Sequence, residues 1–415
     1  MHHALGIAIA QTTASPEVKS ELMKRGLTAE DHVSADVGAA ILFSLRNQAG
    51  EGGDAFVKEV WAQAIEDEWG ETAEVRVTLA LPTAAPTWAA VAARSASLQR
   101  AYWKALQIYW LPKDIEPEFV VDQLVDVGRA RAAISWLGNI IEQAPSRPVL
   151  VKALLAAAKS DEPLDGNDAT MFSFYLGLIF KRLDQDPSVD EKDIVSLEWI
   201  YFQALRHSDR PAQTLHRALA RDPAFFAHLL KLIFLPAKDS GIEEPPPEDK
   251  EQVQNMASQA YDVLHDWAHV PGADDAGIID GLALETWVKD ACKLLKEPGR
   301  GEIGDSKIGE ILSASKREPD QPWPPTPVRE VIEVVRSRAL ESGFEIGVYN
   351  RRGVTVRMPR DGGEQERGLA ASYRRDAEAL RFDWPRTAAC LDRIATTYEV
   401  DATREDLSVE QRDWL

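Results

Sequence analysis

The run His265-Asp266-Trp267-Ala268-His269 is the stretch of this chain whose residue types and spacing come closest to a reaction centre. Two imidazoles four residues apart on a helix share a face and can hold Zn²⁺, and an acid between them stands where a zinc hydrolase keeps its general base. The run continues through Gly272 to Asp275, which could add a third ligand. A zinc reading therefore takes His265, His269 and Asp275 as metal ligands and Asp266 as the base. Three arguments weigh against it. Asp266 has a shorter reach than the glutamate such enzymes use. The chain offers no second domain suited to a protease cleft. Short motifs also recur by chance in a chain of 415 residues. The preferred reading is a partly exposed histidine pair at a helix end, where the dipole favours imidazolium. Asp274–Glu285 has the length of a calcium loop, but Ala276 and Ile278 stand where ligands are needed, so that reading is rejected.

Arginines crowd the C-terminal part: Arg351, Arg352, Arg357, Arg360, Arg367, Arg374, Arg375, Arg381, Arg386 and Arg393. A docking face for an acidic partner or a nucleic acid is one reading, with Arg351, Arg352, Arg374 and Arg375 as interaction candidates. The alternative is pairing with Glu364, Glu366, Asp376, Glu378 and Asp383 across helical turns and with the acidic region before them. The second is favoured, because base-stacking aromatics are not interleaved with the arginines.

Composition narrows the classes further. Acidic residues outnumber basic ones 67 to 47, for a net charge of −20, so the chain as a whole repels phosphate backbones and anionic membranes. Two distant cysteines, Cys292 and Cys390, make no disulfide framework; they read as buried thiols in a reducing cytoplasm. No apolar run reaches membrane-spanning length, and the N-terminus lacks the charge and length of a secretory signal. Nucleophile elbow, phosphate-binding glycine loop and dinucleotide fingerprint are all missing from the sequence. No cofactor is expected.

The elements that would position any site are helices. Leu197, Ile200, Tyr201 and Leu205, then Leu215, Leu219, Phe226, Leu229, Leu230 and Ile233 recur at helical spacing, with a polar break at Ser208–Pro211. Pro223 suits a first helical turn, and Asp222 before it can cap. The same alternation of helix and short Pro, Gly or Asp break runs from about residue 30 to 236 without a fixed period. The expected fold is mainly α: irregular, solenoid-like helical-hairpin repeats over 1–236, an acidic Pro-rich linker over 237–251, and a smaller helical domain over 252–415. One β-hairpin is expected in that last domain. Phe344–Tyr349 and Val354–Met358 are β-branched and aromatic, and they flank Asn350-Arg351-Arg352-Gly353. Ile346 would then face the core, and Arg351 and Arg352 would stand in water at the tip.

Several phrases together carry a resemblance: GRARAAISWL at 128–137, LEWIYF at 197–202, LHRALARDPAFF at 215–226, GFEIGVYNRRGVTVR at 343–357 and WPRTA at 384–388. They resemble the helical C-terminal portion of very large, uncharacterised bacterial cytosolic proteins, from about residue 100 onward. The resemblance implies a bacterial helical-repeat module and transfers no functional residue. The leading expectation is thus a non-enzymatic cytoplasmic scaffold that holds a protein partner, with no membrane and no nucleic acid. The zinc hydrolase and the arginine-based nucleic-acid binder stand as alternatives.

Overall fold

Apolar residues at three- and four-residue intervals, punctuated by proline, glycine and aspartate, direct the backbone to helix, and the computed structural model is mainly helical. It describes residues 2–112, 115–163, 166–186, 188, 190–206, 208–242, 249–353 and 362–413. Among these, the β pairing is limited to an isolated antiparallel bridge between Ala273 and Ile279. No helix of the described residues is long and apolar enough to cross a membrane.

The chain divides into two compact units, Met1–Pro211 and Ala212–Leu415. The first holds α1 (His2–Gln11), α2 (Pro16–Thr28), α3 (His32–Gln48), α4 (Gly53–Glu66), α5 (Glu71–Thr78), α6 (Ala85–Ala92) and α7 (Ala96–Ala105). It continues with α8 (Pro117–Asp126), α9 (Ala130–Asn139), α10 (Arg147–Ala158), α11 (Gly166–Asp184), α12 (Glu191–Ile200) and α13 (Phe202–Leu205). Substantial packing stays local: α1 and α2 lie on α3, α5 on α2, α3 and α4, α9 on α8, α10 and α11, and α11 on α13. Among the described residues, no strongly packed helix pair is more than three helices apart in the chain. Ala10, Met23, Leu27, Ile41, Val57 and Val77 form the core of the first five helices. Farther along, Trp88, Trp103 and Phe119 meet with ring centroids 5.5–5.8 Å apart, two pairs tilted and the Trp103–Phe119 pair edge-on, an arrangement that aromatic quadrupoles favour. The alternating stretch Val75–Leu81 lies mostly in α5, whose Val77 belongs to the core of the first five helices and whose Val75 is also buried.

Ser208–Pro211 was expected to be a plain polar break, yet it closes the first unit with a buried ionic knot. Arg210, 3% exposed, sends Nη2 to Asp184 at 2.6 Å and Nε to the same carboxylate at 2.9 Å, and it also pairs with the buried Glu198. Its guanidinium lies 5.1 Å from the Phe180 ring centroid. Such a desolvated cation is tolerable only with this degree of pairing.

The second unit holds α14 (Gln213–Arg221), α15 (Pro223–Ile233), α16 (Lys250–Asp266), α17 (Gly281–Lys296) and α18 (Gly301–Leu312). After them come α19 (Thr326–Val335), α20 (Arg338–Arg351), α21 (Glu364–Leu380) and α22 (Pro385–Asp413). Asp222 caps α15 as its sequence position suggests, accepting from the Ala224 N–H at 2.9 Å. The division between units thus falls before α14, and the 237–251 segment lies inside the second unit. Its described N-terminal part is tied down: the Ala237 N–H donates to the Gly299 carbonyl at 2.8 Å, and Lys238–Ser240 forms a short 3₁₀ turn. Residues 243–248 of that segment lie outside the described residues.

The expected β-hairpin is corrected. Its first arm, Phe344–Tyr349, lies within α20, and its second, Val354–Met358, lies outside the described residues. The reason is a glycine seam. Gly343 and Gly347, one helical turn apart, lie against α18, where a Cβ on Gly343 would overlap the Ser306 carbonyl and one on Gly347 would come within 2.9 Å of the Glu310 backbone. Gly309 on α18 is as tight against the Leu340 carbonyl. Two backbones can approach this closely only where side chains are absent. The orientation also reverses the expectation for Ile346, which is 48% exposed, whereas Phe344 is fully buried and stacks on Trp323 at 5.1 Å. Gly353 does take a positive φ, +65°, but as the residue after a helix end.

Candidate functional site

The histidine run does not form one site. α16 ends at Asp266, and Trp267 is already extended, so His265 occupies the last helical turn while His269 lies beyond it. The two imidazoles therefore do not share a helical face. Exposed His265 stacks on Tyr261 of the preceding turn, centroids 6.0 Å apart and rings 12° from parallel. His269 instead lines a pocket of about 230 Å³ with Asp274, Asp275, Ser315 and Lys316. The structure thus brings His269 and Asp275 together and leaves His265 elsewhere. Asp274 is occupied in shaping the loop, its carboxylate accepting from the Ile278 N–H at 2.8 Å. Among the described residues, no group of three or more His, Cys, Asp or Glu side chains is placed to hold a metal ion.

Asp266 acts on a neighbour that the motif did not reveal. His216 of α14 is pushed down to about 4, first by burial and then by His269, against the opposing pull of Asp266 and a hydrogen bond to the Val263 backbone. His269 is also held below the usual histidine range, first by burial and then by Arg217. Sequence offered one indication of His216: it follows Leu215 and lies three residues before Leu219, on the margin of an apolar helical face.

Most of the C-terminal arginines are engaged. Arg352 pairs with the fully buried Glu366 and lies 5.4 Å from the Tyr398 ring centroid. Arg374 bridges Asp392 at 2.8 Å and Glu399 at 2.9 Å. Arg386 and Arg393 converge on buried Glu341 at 2.5 and 2.8 Å, and Arg367 meets Asp406 at 2.6 Å. Charge clustering in the sequence is here an inter-helix network binding α20, α21 and α22. Arg375 differs: it is exposed and has no ion pair or hydrogen bond among the described residues. Arg357 and Arg360 lie outside those residues.

Arg351 is different again. It stands at the end of α20, where its Nε donates to the buried Ser313 hydroxyl at 3.1 Å and its Nη2 reaches the Glu310 carbonyl at 3.4 Å. No carboxylate among the described residues pairs with it. Burial of the guanidinium holds its pKa below the usual arginine value, against the opposing pull of the Glu310 charge, although the residue as a whole is exposed. The head group borders a cavity of about 250 Å³ between α15, α16, α18 and α20. Phe234, Tyr261 and His265 border it among polar neighbours, with the fully buried Phe226 and Trp267 behind. Lys307 and Glu310 meet at its edge in an ion pair of 2.7 Å. Two residues singled out separately in the sequence, His265 and Arg351, therefore border the same cavity.

The first unit has a larger concavity, a groove of about 930 Å³. Its apolar lining comes from Leu42 and Phe43 of α3, from Leu79, Leu81 and Pro82 after α5, and from Leu106 after α7. Phe43 is 46% exposed there, beside His3 at 6.5 Å. At the rim, Arg76 donates through Nη1 to the Leu27 and Ala29 carbonyls at 2.6 and 2.7 Å and meets no carboxylate among the described residues. Nothing in the sequence marked this groove, because its lining comes from the body of α3 and the segments after α5 and α7, which only packing assembles.

Both cysteines are chemically quiet. Burial pushes Cys292 and Cys390 up to about 12, and Asp305, in hydrogen-bond range of Cys292, adds to the effect. Comparison of the chain with protein-family models, with curated proteins and with solved structures returns no match.

Proposed function

We propose that this chain is a non-enzymatic helical-hairpin repeat module of the bacterial cytosol, and that its first unit holds an amphipathic helix of a partner protein. The groove beside α3 and α5 is the observation that carries this reading. It is about 930 Å³, walled by Phe43, Leu79, Leu81 and Leu106, and overlooked by a guanidinium that has only carbonyl partners. A partner helix would lay its apolar stripe on that floor and set an acidic side chain against Arg76. The local packing order supports the repeat reading: when each helix rests only on near neighbours in the chain, successive hairpins present continuous open surfaces.

The test is photo-crosslinking in the native host from a photoreactive residue at Phe43, compared with the same residue at exposed Arg375. The expected result is one predominant adduct from position 43, lost when Leu79→Asp is added, with the circular dichroism spectrum unchanged. Equal adducts from both positions, or adducts indifferent to Leu79→Asp, would refute the reading.

A further inference from the structure

We propose that the cavity between α15, α16, α18 and α20 is a binding site for a small aromatic carboxylate, with Arg351 as the group that receives the carboxylate. The site is independent of the groove in the first unit.

The argument begins with the donors. A guanidinium carries five N–H groups in a planar fork. In Arg351, one goes to Ser313 Oγ and one makes a long contact with the Glu310 carbonyl. The remaining donors have no partner among the described residues, whereas most of the other described C-terminal arginines meet a carboxylate. Planar donors left over in this way match the two oxygens of a carboxylate in bidentate geometry. Ser313 fixes the fork, since its hydroxyl is buried and itself donates to the Glu310 carbonyl at 2.6 Å. The fork is therefore set before a ligand arrives, which lowers the ordering cost of binding.

Charge and walls then narrow the ligand. Glu310 pairs with Lys307 and also acts on Arg351, so the three side chains together leave one net positive charge at the cavity. One cation in a chain of net charge −20 suits a monoanion better than a dianionic phosphate. Phe234 and Tyr261 offer ring surface to a flat body, with the fully buried Phe226 and Trp267 packed behind them. The volume, about 250 Å³, equals the liquid volume of roughly eight waters, room for a single-ring or fused two-ring acid. Asn350, next to Arg351 on α20, adds a neutral polar group at the rim.

The probes are benzoate, its uncharged isostere benzamide, phenyl phosphate and acetate, titrated into the full chain by calorimetry and ligand-observed NMR. Benzoate is expected to bind, with benzamide and acetate each about tenfold weaker or more, since each lacks either the charge-assisted hydrogen bonds or the ring. Arg351→Gln should weaken benzoate about tenfold or more. Tyr261→Ala, at a half-exposed wall position, should weaken benzoate and leave acetate unchanged. Circular dichroism and melting curves establish that each variant folds, and Arg375→Gln, an exposed arginine distant in sequence, serves as the control that should bind as the parent does. Three results would overturn the proposal: no benzoate binding, binding indifferent to Arg351→Gln in a folded protein, or phenyl phosphate bound more tightly than benzoate.

Discussion

Acid should weaken the second unit through His216, and the size of the effect follows from its surroundings. The imidazole is largely buried between α14 and α16, and its pKa falls from 6.5 to about 4, burial being the largest cause. A base whose folded pKa lies below its unfolded value binds fewer protons when folded. Stability is therefore full above the unfolded pKa, declines as pH falls toward the folded pKa, and levels off below it. The whole drop is worth up to ~3 kcal/mol at ~1.4 kcal/mol per tenfold, and between about pH 7.5 and about pH 5 the loss is about 2 kcal/mol. Against a typical stability of roughly 5–15 kcal/mol, that is readily measured. The assay is urea denaturation at the two pH values, read by hydrogen exchange of peptides from α14 and α16. His216→Gln keeps a hydrogen-bond donor for the Val263 backbone and cannot titrate, so about 2 kcal/mol of the pH dependence should vanish in it. His269, also held low, should leave a smaller residual slope of the same sign. An unchanged pH dependence in His216→Gln, or an imidazole that titrates near 6.5 by NMR, would refute the reasoning.

The glycine seam predicts that Gly343→Val, whose side chain would meet the Ser306 carbonyl, costs about 1–3 kcal/mol or more, visible as a lower melting temperature of the second unit. Ile346→Asp, by contrast, should change stability by no more than about 0.5 kcal/mol, because the residue is 48% exposed on α20. A large loss there would restore the hairpin reading. With both thiols pushed up to about 12, a disulfide-exchange reagent at neutral pH should modify neither Cys292 nor Cys390 at an appreciable rate until urea unfolds the chain. Labelling in the native state would show that burial is not what governs them.

Local chemistry by itself determined a good deal. Helical apolar spacing dictates helix wherever a strand would scatter those residues over both faces, so Leu215, Leu219, Phe226 and Leu230 reach the core as their intervals imply. Asp222 before Pro223 sets a helix start because cap and proline act within one turn. Of the carboxylates that the sequence offered the C-terminal arginines, Glu378 meets Arg381 within one helix and Glu366 meets Arg352, whereas Glu341, Asp392, Glu399 and Asp406 reach their arginines across helices, which spacing within a helix does not show. Tertiary structure decided what local preference leaves balanced. Phe344-Glu345-Ile346-Gly347-Val348 alternates like a strand, and Gly343 and Gly347 also line up on one helical face; only the approach of α18, at Ser306 and Glu310, selects the helix. His265 and His269 are four apart in sequence, yet α16 stops between them, and spacing means a shared face only while the helix continues. The Arg351 cavity and the Phe43 groove each draw on elements distant in sequence, and Arg210 lay in what read as a polar break before Asp184 and Glu198 closed around it. A concavity or a buried ion pair depends on which surfaces meet, and the intervals within one helix carry no record of that.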